Sequence, residues 1–343
     1  MEHTISVTEL PYPNGWFAVA FSSDLKPERM VRRRLMGQDI IVYRTKRGKV
    51  VAARPYCPHL GAHIGYGGTV EGDNVVCPFH RFAFAPSGRC VATGYGTTPP
   101  KIRLETSPAR ETNGVIMVWW HTGGDPPSWE LPELRSAMFR HPVQMCTTLT
   151  ACPQDMAENF VDTGHISVLH RYRDIKQTVR FEGVSSSSEV TAVRPMPIIR
   201  KHNVVYTNEG YGLGFNRISL TVPEFHSRAE AYFCYTPISP RVLEFRLAAC
   251  GWFPAGGTAP RGTRGLCRVL SRLVTHALVP SLRSDLNADY PIWNNKVYVD
   301  RPRLAGGDGP IQRFRHWSEQ FYSQPEEHLN RDAGTQDRIP SEL

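Results

Sequence analysis

Short runs of β-branched and aromatic residues, each closed by Gly, Asn, Asp or Pro, fill the first third of the chain: WFAVAFS (16–22), DIIVYRT (39–45), KVVAARP (49–55), NVVCPF (74–79) and GVIMVWW (114–120). Such runs predict a small all-β domain that closes near Trp120. The segment HTGGDPPSWELPELRS (121–136) breaks the pattern with Gly and Pro and reads as a linker. Beyond it the texture changes. Residues 153–170 read as helical, and 218–253 as long antiparallel strands that turn at ISPRV (238–242). CRVLSRLVTHAL (267–278) spaces Leu270, Leu273, Val274, Ala277 and Leu278 as one helical stripe. A last amphipathic helix is predicted over IQRFRHWSEQFYS (311–323), with Ile311, Phe314, Trp317 or Ser318, and Phe321 on its apolar side. SSSS (185–188) reads as a loop, and the polar stretch 324–343 as a fraying tail. These patterns divide the chain into units of residues 1–122 and 141–323, with the linker at 123–140 and the tail at 324–343.

Composition adds little to this picture. With 343 residues, 41% apolar and 21% charged, the chain is of ordinary globular make-up and long enough for two domains. The net charge of +8 is spread out, its one knot being RMVRRRL (29–35), so nucleic acid is not an expected partner. A solvated surface, or a docking face for an acidic electron-transfer partner, is the expected use of that charge. Of the eight cysteines only Cys57 and Cys77 fall in a motif; the others read as reduced thiols of a cytoplasmic protein. Neither a secretory leader nor a membrane span is expected from the sequence.

Candidate chemistry starts with RPYCPHLGAHIGYGGTVEGDNVVCPFHRF (54–82), where Cys57-Pro-His59 is echoed by Cys77-Pro-Phe-His80. Structural zinc sites favour Cys-x2–4-Cys and His-x3–5-His pairs closing one tetrahedron. A Cys and a His one residue apart suit a two-metal unit instead, in which cysteines hold one iron and histidines the other, as in a Rieske [2Fe–2S] cluster. His63 lies in the same loop but outside the motif, at the surface or behind the ligands.

A second constellation follows in AENFVDTGHISVLHRY (157–172), with Asn159, Asp162, His165 and His170. Two histidines and a distant carboxylate make the facial triad of non-haem Fe(II) oxygenases. Five residues apart, the histidines stand roughly 140° from each other on an ideal helix, so the helix must bulge or end before His170. Asp162 and His165, three apart, would share a face. The carboxylate comes from SLRSDLNADYPIWNNKVY (281–298), where Asp285 and Asp289 occupy one helical face and spacing alone does not choose between them.

Through these motifs, CPHLGAHIGYGGTVEGDNVVCPFH (57–80), the Asn-x2-Asp-x2-His-x4-His pattern and YPIWNNK (290–296), the chain resembles the Rieske non-haem iron oxygenases over about residues 10–325. It is most similar to their α-only branch of 3-ketosteroid 9α-hydroxylases and cholesterol 7-desaturases. The resemblance implies an α+β protein: an all-β Rieske domain, then a helix-grip (START-like) catalytic domain whose antiparallel sheet wraps a long C-terminal helix. It implies Cys57, His59, Cys77 and His80 as ligands of the [2Fe–2S] cluster and His165, His170 and Asp289 as ligands of a mononuclear Fe(II). Asp289, just before the Ile-Trp pair, is chosen over Asp285, which reads as a solvated helix residue; Trp293 reads as core. Asn159 and Asp162 match the catalytic motif, Asp162 as the aspartate joining the iron site to His80 of the neighbouring subunit in a head-to-tail homotrimer.

The same resemblance implies O2 as co-substrate and electrons from NAD(P)H through a separate ferredoxin or flavin reductase, since no Gly-x-Gly-x-x-Gly fingerprint opens a βα unit here. It points to hydroxylation or desaturation of a bulky, apolar, steroid-like molecule, with an aromatic amine, methyl ether or polyketide as the alternative. Ala62 and Phe79 stand where high-potential Rieske proteins have a disulfide, which points to the lower-potential, oxygenase or ferredoxin type. Phe82 is a departure, replacing the Trp that many relatives carry two residues after the second-loop His. No N-terminal membrane span like that of animal cholesterol desaturases is expected.

Overall fold

The computed structural model describes residues 9–134, 139, 142–194, 202–252 and 264–323. The N-terminal part lays down β1 (Gly15–Phe21), β2 (Arg29–Leu35), β3 (Gln38–Arg44), β4 (Val50–Ala53), β5 (Thr69–Glu71), β6 (Asn74–Val76), β7 (Ala83–Phe84), β8 (Cys90–Ala92), β9 (Thr106–Ser107), β10 (Ala109–Thr112) and β11 (Val115–Trp120). Every run read as a strand in this part is one. They form three small antiparallel sheets, β1-β11-β10, β2-β3-β4-β9 and β5-β6-β7-β8. β1 and β11 are buried on both faces and read as continuous apolar runs for that reason.

The C-terminal part is β12 (Val143–Leu149), α1 (Pro153–Glu158), α2 (Thr163–Val168), β13 (Arg173–Glu182), β14 (Ser185–Arg194), β15 (His202–Tyr211), β16 (Phe215–Val222), β17 (Ser227–Ser239), β18 (Val242–Trp252), α3 (Arg264–Asn295) and α4 (Ile311–Ser318). Its strands make one antiparallel sheet in the order β12-β18-β17-β16-β15-β14-β13. Period-two alternation decides what each face of that sheet meets. On β17, Tyr232 and Cys234 pack with Trp16, Phe21 and Trp119 of the N-terminal part, while Phe233 and Tyr235 join the core that includes Leu286, Trp293 and Phe314 of α3 and α4. Thr236 Oγ1 and Arg246 Nη1 both donate to the Ala18 carbonyl (2.6 and 3.0 Å) and tie the two parts together. The sheet thus stands between the N-terminal part and α3.

Several expectations meet a different outcome. SSSS is not a loop: Ser185–Ser188 open β14, with Ser186 and Ser188 buried and the Ser188 hydroxyl donating to the Phe160 carbonyl at 3.3 Å. The turn lies one step earlier, at Gly183 (φ 50°), and tertiary pairing overrides a weak strand propensity. β13–β15 went unread because each alternates with Lys, Gln, Arg, Glu or Asn on its second face. The helix read at 267–278 is part of the longer α3, which carries Pro280 and Pro291 inside it; Leu273, assigned to its apolar stripe, is exposed, and the side chains of Val274, Ala277 and Leu278 lie outside the described residues. α4 buries Ile311, Phe314, Trp317 and Ser318 as its period requires. The tail 324–343 and part of the linker also lie outside the described residues. Among the described residues no helix is long and apolar enough to cross a membrane.

Candidate active site

The segment 153–170 is two short helices, and the break between them builds the site. α1 ends at Asn159, and Asp162 caps α2, its Oδ1 accepting the His165 backbone N–H at 2.8 Å. A cap satisfies one of the orphan donors of a helix start, so Asp162 and His165 are tied at the first turn rather than along one face. α2 stops at Val168, and Arg171 (φ 61°) turns the chain toward β13. His170, beyond the helix, is thereby free to swing back to His165. Their Nε2 atoms lie 2.9 Å apart.

The third member is Asp289 of α3, 124 residues from His165 in sequence. Its Oδ1 is 2.9 Å from His165 Nε2 and 3.2 Å from His170 Nε2, and the carboxylate is buried. Burial raises its pKa, but the hydrogen bonds and charges of the two histidines reverse the effect and hold it below the ordinary range. Two ligands at right angles, each about 2.1 Å from a divalent ion, stand about 3.0 Å apart. The edges of this triangle, 2.9, 2.9 and 3.2 Å, match one face of an octahedron. Among the described residues this is the one group of three His, Cys, Asp or Glu side chains placed to share a metal ion. The donor set, two imidazoles and a carboxylate, is that of Fe(II) oxygenases.

Asp285 is not the solvated residue the sequence suggested. One turn before Asp289, it sits in the cavity wall with both oxygens 2.8 Å from Arg194 Nη2, and its Oδ1 is 3.9 Å from His170 Nδ1. Burial raises its pKa against the opposing pull of Arg194 and His170. The i, i+4 spacing from Asp289 was the signal that it faces the same site. Nothing in sequence pointed to Arg194, 91 residues away on β14. Trp293 is core, as read, and also borders the cavity.

The triad forms part of the wall of a cavity of about 220 Å³, lined mainly by apolar groups such as Phe160, Ile166, Ile218, Leu220, Phe233 and Leu286. Asn159 also reaches it. The cavity lies between the large sheet and α3, on the side away from the N-terminal part. Tyr172 and Tyr206 line it too, and burial pushes the Tyr172 hydroxyl up to about 12 and the Tyr206 hydroxyl higher, so both stay protonated donors.

The two Cys-His loops are built alike. In the first, Cys57 N–H donates to the Ala62 carbonyl (2.8 Å) and Gly61 N–H to the Cys57 carbonyl (2.8 Å). In the second, Cys77 N–H donates to Phe82 (2.9 Å) and Arg81 N–H to Cys77 (3.1 Å). Both loops need a left-handed residue at the same step, Gly61 (φ 75°) and Arg81 (φ 53°). The sulfurs are buried and in contact. Burial and the Cys77 thiol push the Cys57 thiol up to about 11, against backbone N–H groups of His59 and Leu60 that point at its sulfur. The His59 and His80 rings lie with centroids 4.9 Å apart and are half-exposed, and Phe82 stacks on His59 at 4.2 Å. Around them Leu60, Phe79 and Tyr95 are exposed. The four side chains fit a [2Fe–2S] unit held through two sulfurs and two imidazoles. His63 packs between Tyr56 and Tyr66, its Nδ1 accepting the Gly65 N–H.

Two known protein families match successive parts of the chain. Residues 15–103 match the Rieske [2Fe-2S] domain, and residues 118–322 match the 3-Ketosteroid 9alpha-hydroxylase C-terminal domain. The cholesterol 7-desaturase nvd of Xenopus laevis is 29% identical across 92% of this chain and 73% of its own length. The oxygenase component of a 3-ketosteroid-9-alpha-monooxygenase from Rhodococcus rhodochrous is 23% identical across 91% of this chain and 84% of its own. In three dimensions the chain is similar to dicamba monooxygenase bound to dicamba (TM-score 0.64, 15% identity, 95% of this chain and 100% of that one), a likeness of fold. With two family matches tiling it from Gly15 to Tyr322, the chain belongs to the Rieske non-haem iron oxygenases that carry a 3-ketosteroid 9α-hydroxylase type C-terminal domain.

Proposed function

We propose that this protein is the terminal oxygenase component of a multi-component monooxygenase that hydroxylates or desaturates a bulky, apolar, steroid-like substrate. The observation that carries the reading is the cavity: an apolar chamber whose wall includes the His165–His170–Asp289 triangle. Its lining binds by displacing water from a rigid hydrocarbon, and water-free walls hold the target carbon beside the triad. When bound there, Fe(II) supplies a coordination site for O2, and the cluster supplies electrons one at a time. Asp289 and the two imidazoles hold the iron; Cys57, His59, Cys77 and His80 hold the cluster. The hydroxyls of Tyr172 and Tyr206 stay protonated and offer the substrate hydrogen-bond donors in a mainly apolar wall. The relatives named for cholesterol and 3-ketosteroids support this substrate class.

The same reading divides the chain into a cluster-bearing unit (1–122), a connecting segment (123–140) and an iron- and substrate-binding unit (141–323). It places the protein in the cytoplasm, with a ferredoxin or flavin reductase drawing on NAD(P)H. It also takes a head-to-tail homotrimer as the working form. Within one chain the large sheet separates the N-terminal part from the cavity, while the cluster histidines are ringed by exposed Leu60, Phe79 and Tyr95, and Val168 beside the triad is 81% exposed. Docking one surface on the other covers both. In that arrangement Asp162, whose Oδ1 is held by the His165 backbone, offers its other oxygen to His80 of the neighbouring subunit.

The test is anaerobic EPR of the ferrous protein with nitric oxide, with and without a 3-ketosteroid. A high-spin iron–nitrosyl signal that changes shape on adding steroid supports both iron and substrate. A signal indifferent to steroids removes the substrate class, and no signal at full iron content removes the oxygenase.

A further inference from the structure

We infer that Asp285, clamped by Arg194, is a positioning residue that holds the imidazole of His170 from behind. The inference rests on the reading of His165, His170 and Asp289 as the iron ligands. α3 brackets one ring with two carboxylates a turn apart: Asp289 Oδ1 lies 3.2 Å from His170 Nε2, and Asp285 Oδ1 lies 3.9 Å from Nδ1 at the opposite edge. An imidazole that gives its Nε2 lone pair to a cation carries its proton on Nδ1 and needs an acceptor there. At 3.9 Å Asp285 is beyond hydrogen-bond length and within ion-pair reach, and it is the carboxylate that faces Nδ1.

Arg194 explains how a second carboxylate is tolerated so close to Asp289. Its Nη2 donates to both Asp285 oxygens at 2.8 Å, fixing the group, and its guanidinium packs over the Tyr172 ring at 5.3 Å. The pair is neutral, so the charge facing the iron remains that of Asp289 alone. His165 is held differently. Its Nδ1 is buried with no partner, and its tether is the backbone bond to Asp162. One ligand histidine is oriented through its ring and the other through its main chain.

The test uses the full-length protein with its cluster assembled, titrated anaerobically with Fe(II) and then with nitric oxide. Removing a group that orients a ligand typically costs 10- to 100-fold in metal affinity. Asp285→Ala is therefore expected to weaken Fe(II) binding about 10- to 100-fold and to alter the nitrosyl line shape, with the cluster signal unchanged. That variant also strands Arg194 as an unpaired cation beside the metal, which would itself repel Fe(II). The double variant Asp285→Ala/Arg194→Met separates the two causes. If it binds as weakly as the single variant, the carboxylate positions His170. Recovery of wild-type affinity and line shape would show that the stranded arginine did the damage, and would overturn the inference. So would an Asp285→Ala protein indistinguishable from wild type. Asp285→Asn keeps an acceptor oxygen and the side-chain volume, is expected to lose less affinity, and serves if the alanine variant does not fold. Should the wild-type protein take up no Fe(II) beyond its cluster, the underlying ligand assignment fails instead.

Discussion

The two candidate metal centres are assembled by opposite means. The cluster loops are local: each ligand pair lies inside one tight turn, and the two turns repeat the same two backbone bonds about Cys57 and Cys77. The triad is global: a helix break sets His165 and His170, and a helix more than a hundred residues later brings Asp289 between them. A local site depends on turn conformation and a global one on the packing of α3 against the large sheet. The difference teaches that the two centres should fail independently, because the sheet stands between them.

The strongest way to break that comparison is to remove one ligand from each. Cys77→Ala is expected to abolish the cluster's visible absorbance and EPR signal while one Fe(II) per chain still binds at the triad. Asp289→Ala should do the reverse, losing the mononuclear iron and all turnover with the cluster's colour intact. Iron analysis with EPR reads both. Retention of the mononuclear iron in Asp289→Ala would shift the ligand to Asp285, and joint loss of both metals from either variant would mean that the centres share one folding unit.

A smaller effect tests the connection between the centres. Asp162→Ala removes a helix cap, which costs about 1 kcal/mol, and both metals should remain. Single-turnover rates are expected to fall about 10- to 100-fold, the range for a group that orients a ligand. Unchanged single-turnover kinetics would leave Asp162 as a cap and nothing more.

How much of this was legible follows from the same contrast. The candidate cluster loops and the strands that carry them could be read because Cys-Pro-His and Cys-Pro-Phe-His state their own turn chemistry, and because strands buried on both faces are apolar throughout. His165 and His170 were legible as a spacing that a continuous helix does not satisfy, and α2 ends at Val168, between the two. What stayed hidden depends on burial that only the folded sheet creates. Asp285 looks solvated in a polar stretch of sequence until Arg194 arrives from β14. Ser185–Ser188 look like a loop until the Phe160 carbonyl and the strands on either side give their backbone and hydroxyls partners. Half-exposed strands such as β13 lose their signal in the side chains of their wet face.

The finest test compares the two cluster loops at the step where both turn left-handed. Gly61 stands at φ 75° and Arg81 at φ 53°. A Cβ at Gly61 would meet nothing within 4 Å, so Gly61→Ala isolates the backbone cost, about 1–2 kcal/mol for an L-residue in that region. Arg81→Gly relieves a similar strain in the second loop. It also gives back about 0.4–1 kcal/mol of unfolded-chain entropy and removes an exposed ion pair to Glu71, worth little. The two substitutions are therefore expected to be asymmetric: Gly61→Ala lowers the melting temperature of the cluster domain by several degrees, and Arg81→Gly changes it by no more than about two. Thermal bleaching of the cluster's absorbance measures both. Equal losses would mean that the Arg81–Glu71 pair holds the second loop as firmly as glycine's freedom holds the first, and the echo between the loops would then be one of shape but not of energetics.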